Sequence, residues 1–527
     1  MTVRRVCFRA WCGCHHGRSQ VLGYVVALVG VFAGPWSVAA TAQDGEELRH
    51  EVIEVEVDAV AVGPEPFRWE LLPRPHEVRS GNAAEAYREV FADPAFEVFT
   101  RNPLDDELRI RRMAVVQGVR SDIDADSAWP PLSDIAPPEL TPQSLEANEP
   151  LRKFHEAAHY RFVDWGLEFH PEPLSPELPH LSNMRTGVSL VALQADRALR
   201  EGRYDTATRC VRTMFGAAGH ASPPAPVTLV ESLVGVAIVQ VTTSVLEAWV
   251  VQPQAPNLYL ALSELPSAPV SLTPALRTER DFFFFRFPEL AEPDQVPTDD
   301  QCIAMFDAFF GRLSPNLLEP MGPGAGGMTK AAFVRGHLFA AAYPHARYWL
   351  KENLCWTDQE VDALSPLQAV AVVARNEHVR NRDWVFRWST LPLRMRWGFV
   401  GYDDAFWDEM ETRPGGLIHY YDLILLPALS AAARVEAKQA RKLARLTVIE
   451  ALRHHVATHG GAFPASLDEL ELPAPNDPCT GRPFGYRVED SAAILEDELL
   501  EALGDGPGAN VRYVIRFREA GGDPEER

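Results

Sequence analysis

The sequence is poor in lysine and cysteine, and its basic residues are outnumbered by acidic ones. It contains 50 lysines and arginines against 73 aspartates and glutamates, a formal net charge of −23. Nucleic-acid binding requires a basic surface that neutralises phosphates, so this balance argues against a nucleic-acid partner. An acidic surface of this kind is more simply a source of solubility.

Several familiar catalytic and membrane patterns are also missing. No G-x-S-x-G nucleophile motif occurs, and no C-x-x-C pair stands after residue 42. After the first 40 residues, no apolar run is long enough for us to predict a membrane span. The sequence therefore gives no support to a serine hydrolase of that type or to a zinc ribbon.

Residues 1–42 have the pattern of a secretory signal peptide. The apolar segment Val21–Ala33 is short for a membrane span, and a small-residue cleavage site ends at Ala42. Four arginines and no acidic residue precede the apolar segment or border it: Arg4, Arg5, Arg9 and Arg18. We expect an exported protein of the periplasm or cell envelope that begins at Gln43 with a net charge of −27. The alternative is an N-terminal membrane anchor over Val21–Ala40.

The remaining chain is long enough for two or three folding units. Residues 43–150 are predicted to form an extended and helical region that ends in a Pro-rich linker. Its clearest element is a strand in Glu51–Val62, where apolar and acidic residues alternate. Asn82 is expected to cap the helix that follows.

Residues 151–416 are predicted to form a helical domain. The segment Leu190–Ala221 has an apolar stripe at helical spacing, and Gly202 interrupts it. This segment resembles one tetratricopeptide hairpin, although no convincing second copy follows. We expect a multi-helix array that includes this single hairpin.

Residues 417–527 are predicted to form a small α+β domain with one long helix, Leu417–Val456, and a short antiparallel sheet. Gly460 and Gly461 are expected to end the helix. One face of the helix carries five basic residues: Arg434, Lys438, Arg441, Lys442 and Arg445. The simpler interpretation is a solvated helix face. The alternative is a surface that docks against the acidic helical domain or a partner.

The strongest candidate for catalysis is His155-Glu156-Ala157-Ala158-His159. On a helix, histidines four residues apart face the same side and can bind zinc, and the glutamate between them can activate a bound water. In zinc peptidases this motif is usually followed by an uncharged and then an apolar residue. Here Tyr160 comes first and the charged Arg161 stands where the apolar residue is expected. The alternative interpretation is a chance match on a solvated face.

Four cysteines follow the signal peptide: Cys210, Cys302, Cys355 and Cys479. An even number in an oxidising compartment permits disulfides. Four scattered cysteines in a large protein are more often buried free thiols, so the sequence leaves their pairing open.

Seven phrases occur in order along the chain: GNAAEAY (81–87), DWGLEF (164–169), LPHL (178–181), ALREGRYDTA (198–207), PNLYLALSELP (256–266), YPHARYWL (343–350) and NDPCTGRPFGYR (476–487). Together they resemble a family of uncharacterised exported proteins of planctomycete-type bacteria. The resemblance implies an exported location and a fold, and no activity.

The C-terminal segment separately resembles the soluble domain of type II secretion pseudopilins. The likeness rests on ILLPALSAAARVEAKQAR (424–441) and on the Asp-Pro segment that precedes Tyr486. Pseudopilins carry their hydrophobic assembly helix at the N-terminus, whereas the similar helix here lies deep in the chain. The resemblance therefore implies a fused module and not pilus assembly.

These observations predict an exported, non-catalytic helical scaffold or protein-interaction protein with possible protein partners, no cofactor and no membrane span after cleavage. The competing hypothesis is a zinc metallopeptidase with His155 and His159 as ligands and Glu156 as the catalytic base.

Overall fold

The computed structural model of the chain describes residues 49–96, 147–167, 178–224, 227–292, 295–313, 330–389, 391–396, 427–504 and 506–518. The predicted signal peptide and the predicted start of the long helix at residue 417 lie outside these residues. Within them the molecule is mainly helical with a small sheet, which confirms the coarse fold class expected from the sequence.

The described strands are β1 Glu51–Val57, β2 Arg79–Asn82, β3 Tyr160–Phe162, β4 Gly485–Glu489, β5 Ala492–Glu496 and β6 Val511–Phe517. The described α-helices are α1 Ala83–Phe91, α2 Glu149–Ala157, α3 Pro179–Arg200, α4 Tyr204–Ala221, α5 Leu229–Val250, α6 Tyr259–Ser263, α7 Thr273–Arg286, α8 Asp299–Leu313, α9 Lys330–Leu354, α10 Asp358–Asp362, α11 Pro366–Phe386 and α12 Pro427–Thr458. The predicted boundary between residues 150 and 151 falls inside α2.

Local sequence explains where several helices begin. The Asn82 side chain accepts a hydrogen bond from the backbone N–H of Ala84 at 3.1 Å, as predicted for the cap of α1. At the start of α5, Thr228 accepts from the backbone N–H of Glu231, and the Glu231 carboxylate accepts from that of Thr228. This reciprocal capping box satisfies backbone donors that the helix itself leaves free.

Helices α3 and α4 form a hairpin against which α5 packs. Gly202 lies in the turn with φ +69°, a left-handed conformation that glycine adopts without strain. Helix α2 approaches this group closely because two glycines leave room for it. A Cβ on Gly187 would lie 2.3 Å from the Phe154 ring, and one on Gly216 would lie 2.3 Å from the carbonyl oxygen of Ala158.

Helix α5 lies at the centre of the largest hydrophobic core. It packs on α3, α4, α7 and α12, and Trp249 near its end is fully buried. Of the described helices, only α5 is long and apolar enough to cross a membrane, and most of it is buried inside the molecule. Such burial is compatible with the core helix of a protein that has no membrane span here. Smaller hydrophobic clusters join α7, α8, α9 and α11.

The main sheet has the strand order β1-β6-β5-β4. Strands β4, β5 and β6 pair antiparallel, and β1 pairs parallel with β6, with Glu51 opposite Val511 and Val57 opposite Phe517. This arrangement corrects the expectation of a purely antiparallel sheet within residues 417–527. The alternation in β1 predicts a half-exposed strand, and it leaves the partner of that strand undetermined.

Candidate functional site

The candidate zinc motif straddles the end of a helix. Helix α2 ends at Ala157, and the backbone N–H of His159 bonds to the carbonyl of Glu156 at 3.2 Å, a three-residue step. His159 therefore lies in the turn that leads into β3, and the expected pair of histidines on one continuous helical face is not formed. The close contact between Ala158 and Gly216 fixes this end of the helix against α4.

Both ring nitrogens of His155 already have hydrogen-bond partners. Nδ1 lies 2.7 Å from Oγ1 of Thr213, and Nε2 lies 2.8 Å from Oε1 of Gln194. Burial lowers the pKa of His155 to about 4, so the ring is neutral at pH 7. A zinc ion at His155 would have to displace one of these two contacts.

Charged side chains surround Glu156 and His159, the other two polar residues of the motif. The Glu156 carboxylate is bound by Arg79 at 2.9 Å and by Arg152. Burial lowers the pKa of His159, and the charge of Glu77 opposes that shift. In the part of the chain that the structure describes, no group of three or more His, Cys, Asp or Glu residues is placed to hold a metal ion. The residues of the motif fit a packing role better than a zinc site.

A buried cluster of aromatic and histidine side chains lies next to the motif. His220 contacts the Tyr87 hydroxyl through Nδ1 at 3.2 Å and the Tyr160 carbonyl through Nε2 at 2.8 Å. The indole N–H of Trp165 donates to the His220 carbonyl at 2.9 Å, and the Trp165 ring stacks on His180 with centroids 4.1 Å apart. These contacts tie α1, α3 and α4 together around β3.

His180 faces a buried carboxylate. Its Nε2 lies 3.8 Å from Oε1 of Glu231, and neither atom has a hydrogen bond within the described residues. Burial lowers the pKa of His180 to about 4 and raises that of Glu231. His180 is 7% exposed and Glu231 is fully buried.

Sequence reasoning did not identify this cluster, although the signal was present. Tyr87, Trp165 and His180 belong to three of the sequence phrases quoted above: GNAAEAY, DWGLEF and LPHL. These phrases are far apart in the chain and meet in space. Their spacing could not show this, because no local pattern encodes the stacking of Trp165 on both Tyr87 of α1 and His180 of α3.

The prediction that the basic face of α12 is solvated is wrong, because its central arginines are buried. Arg441 and Arg445 are at most 2% exposed and form ion pairs with Asp477 and Asp497. A buried guanidinium without such partners would be strongly destabilising. The face binds the sheet and loops of the same chain.

The other basic residues of the same face also contact this chain. Arg434 donates to the carbonyl of Ala502 at 2.8 Å, and Lys442 pairs with Glu247 of α5 at 2.7 Å. The contact between Lys442 and Glu247 fits the alternative interpretation, in which this face docks against the helical domain. Arg453 lies one turn beyond Glu450 on α12, and the two side chains form a fully buried ion pair at 2.9 Å.

Cys210, Cys302, Cys355 and Cys479 form no disulfide with one another. Cys210, Cys302 and Cys479 are buried, and Cys355 is exposed. Burial raises the pKa of Cys302 to about 12, which makes that thiol a poor nucleophile.

No family model, no curated protein and no solved structure matches this chain. A function for the protein therefore has to be argued from its own residues.

Proposed function

We propose that the protein is an exported, non-catalytic helical scaffold that binds protein partners. The observation that carries this proposal is a difference between two sets of side chains. Residues with catalytic potential hold the fold together, whereas several large aromatic side chains face solvent. Phe285 of α7 is 54% exposed, Tyr348 of α9 is 63% exposed and Trp384 of α11 is 44% exposed.

These aromatic residues belong to helices that pack together, since α11 contacts both α7 and α9. Arginines lie near aromatic rings of two of these helices. The Arg387 guanidinium lies 3.6 Å from the centre of the Trp384 ring, and that of Arg382 lies 5.4 Å from the Phe284 ring. Aromatic residues and arginine are the side chains most enriched in the energetic centres of protein interfaces.

The zinc metallopeptidase is the competing hypothesis, and the surroundings of His155 favour it less. Thr213 and Gln194 take both ring nitrogens, and two arginines take the Glu156 carboxylate that would have to act as a base. Zinc bound stoichiometrically to the purified chain, and lost together with peptidase activity in His155→Ala, would establish the enzyme and contradict our proposal.

The scaffold proposal is tested by crosslinking the protein to its neighbours in the native host. A triple variant, Phe285→Ser, Tyr348→Ser and Trp384→Ser, should keep the wild-type circular dichroism and melting temperature and lose the crosslinked partners. The matched control replaces two aromatic residues of similar exposure elsewhere, Phe67 and Phe162, with serine. Retention of every partner by the folded triple variant would refute the role of these helices.

A further inference from the structure

The main sheet has two edge strands, β1 and β4, because its strand order is β1-β6-β5-β4. In the part of the chain that the structure describes, neither strand pairs with a further strand on its outer side. The edge of a sheet presents backbone N–H and C=O groups that can bond to another strand. The two edges differ in how much of this bonding capacity is already used.

The turn between β4 and β5 determines which backbone groups of β4 point outward. The two-residue loop 490–491 has φ angles of +47° and +61°, as in a type I′ hairpin turn. Glu489 and Ala492 lie opposite each other across this loop and occupy the positions of its closing hydrogen-bonded pair. Because the bonding direction alternates along a strand, the backbone groups of Tyr486 and Val488 face the free edge.

The outer edge of β4 is open, whereas that of β1 is partly used. Among the described residues, none bonds to the backbone N–H or C=O of Tyr486 or Val488, and Val488 is 43% exposed. On β1 the outward carbonyl of Glu56 already accepts from Arg518 at 2.9 Å. Strand β1 also carries glutamates and no basic residue, so a second copy of that edge would offer it no opposite charge.

The charges of β4 are complementary to those of a second, antiparallel copy of β4. A twofold axis at Val488 places Arg487 of each copy opposite Glu489 of the other. These two side chains are 38% and 56% exposed and pair with each other at 2.6 Å within one chain. An axis at Arg487 would oppose two guanidinium groups, and an axis at Tyr486 would place Arg487 opposite Gly485. Opposite charges across a strand pair are stabilising, so the charge pattern selects the axis at Val488.

The same axis brings together the apolar groups of the edge. The two Val488 residues would form the central hydrogen-bonded pair, in which the N–H of each donates to the carbonyl of the other. Their side chains lie on the face of the sheet that carries Ala493, the buried residue opposite Val488 on β5. Pairing of the two edges would therefore cover an exposed valine at the rim of the core.

We propose that two copies of this chain associate through the outer edges of β4, antiparallel about a twofold axis at Val488. The association joins two four-stranded sheets into one continuous sheet. Because β4 is short, the interface falls in the small class, below about 1,200 Å² of buried surface, and its affinity is weak. The aromatic residues of α7, α9 and α11 take no part in it, so it is independent of the proposed scaffold function.

The test is sedimentation equilibrium of the full chain at concentrations up to about 1 mM, where weak dimers become visible. Val488→Pro removes the outward N–H of the central pair. The matched control is Val52→Pro on the edge of β1, where the valine is 46% exposed, and proline is tolerated at both edges. We expect Val488→Pro to raise the dissociation constant of the dimer about tenfold or more, and Val52→Pro to match the wild type. A monomeric wild type, or equal association of the two proline variants, would overturn the proposal.

Charge exchange tests the register without proline. Arg487→Glu and Glu489→Arg, each alone, place like charges opposite each other and should weaken the dimer. An equimolar mixture of the two variants should form a heterodimer, because each new charge then meets its opposite. The double variant Arg487→Glu/Glu489→Arg should recover the homodimer. Both side chains are exposed, so all three variants should keep the wild-type circular dichroism. If neither the mixture nor the double variant associates more tightly than the single variants, the register is wrong.

Discussion

The guanidinium of Arg441 is fully buried and has several acceptors at once. It donates to both oxygens of Asp477, to the carbonyl of Glu498 at 2.7 Å and to that of Ala509 at 2.8 Å. Only the planar fork of arginine can reach several acceptors in this way. One side chain thus connects α12 to the loop that precedes β4 and to the loop between β5 and β6.

Replacing Arg441 with methionine should destabilise the protein by about 3–5 kcal/mol, because it leaves the buried carboxylate of Asp477 without its partner. The matched control is Arg516→Met, which removes the exposed pair with Glu54 and should cost less than about 1 kcal/mol. Chemical denaturation of both variants measures the difference. Equal losses would show that burial of the Arg441 pair does not matter.

The buried histidines predict a dependence of stability on pH. Burial lowers the pKa of His220 to about 4 from its ordinary value near 6.5. Between these two values the unfolded chain binds a proton that the folded chain does not, so stability falls as the pH falls. The contribution is fully present above pH 6.5 and is lost down to about pH 4. His155 and His180 shift in the same direction.

Replacing His220 with glutamine should therefore reduce the slope of unfolding free energy against pH. Between pH 6 and 4.5 the slope for the variant should be smaller than that for the wild type by about 1.4 kcal/mol per pH unit, the value for one proton. The measurement is a series of denaturation curves for the wild type and the variant. The difference between the two series cancels the carboxylates, which titrate in both. Identical slopes would mean that His220 is protonated equally in the folded and unfolded chains.

The basic residues of α12 show where sequence reasoning stops. Their spacing correctly predicts a long helix, because apolar residues recur every three or four positions. It cannot tell a solvated arginine from one that is buried with a carboxylate. That distinction depends on Asp477 and Asp497, which reach the helix only after the loops and sheet have folded.

Helix starts and turns were more predictable than the contacts between elements. The cap at Asn82 and the turn at Gly202 follow from residues within a few positions of each other, and the structure contains both. The helix end inside the candidate zinc motif could not be read in this way. It depends on the contact between Ala158 and Gly216 of α4, which are distant in sequence.

This contact between α2 and α4 gives a prediction with an internal control. Gly216→Ala would place a Cβ 2.3 Å from the backbone oxygen of Ala158, and overpacking against backbone costs about 1–3 kcal/mol. Gly219 lies one turn further along α4 with nothing within 4 Å of its Cβ position. Gly219→Ala should stabilise the helix by about 0.5–1 kcal/mol. Thermal unfolding of the two variants should shift in opposite directions, and a shared direction would contradict the close approach.

The two ends of the described chain meet in one sheet. Strand β1 begins at Glu51 and lies beside β6, which ends at Phe517. Three side chains of β6 are at most 2% exposed: Val511, Tyr513 and Ile515. The sheet also packs near α5, since the Tyr513 hydroxyl donates to Glu247 at 2.7 Å. The C-terminal segment therefore depends on residues from the beginning and the middle of the chain.

Dividing the chain at the predicted boundary should show this dependence. Residues 43–416 and 417–527, produced together, should associate in a one-to-one complex. Residues 417–527 produced alone should fail to fold, because they lack β1 and the packing of α5 against α12. Co-purification and circular dichroism measure both outcomes. A folded, monomeric 417–527 fragment would mean that the segment is an independent domain.

Two proline variants of β1 test whether its pairing holds the complex together. The backbone N–H of Glu51 bonds to Asn510, and the Val57 carbonyl accepts from Arg518, so odd-numbered residues of β1 bond to β6. Val55→Pro removes one of these bonds and leaves its acceptor unpaired, at a cost of about 1–3 kcal/mol. Val52→Pro changes the N–H that points to the outer edge of the sheet, where proline is tolerated. We expect Val55→Pro to weaken the association of the two pieces and Val52→Pro to leave it intact. Equal effects of the two prolines would place the essential contacts in the helices and not in the strand.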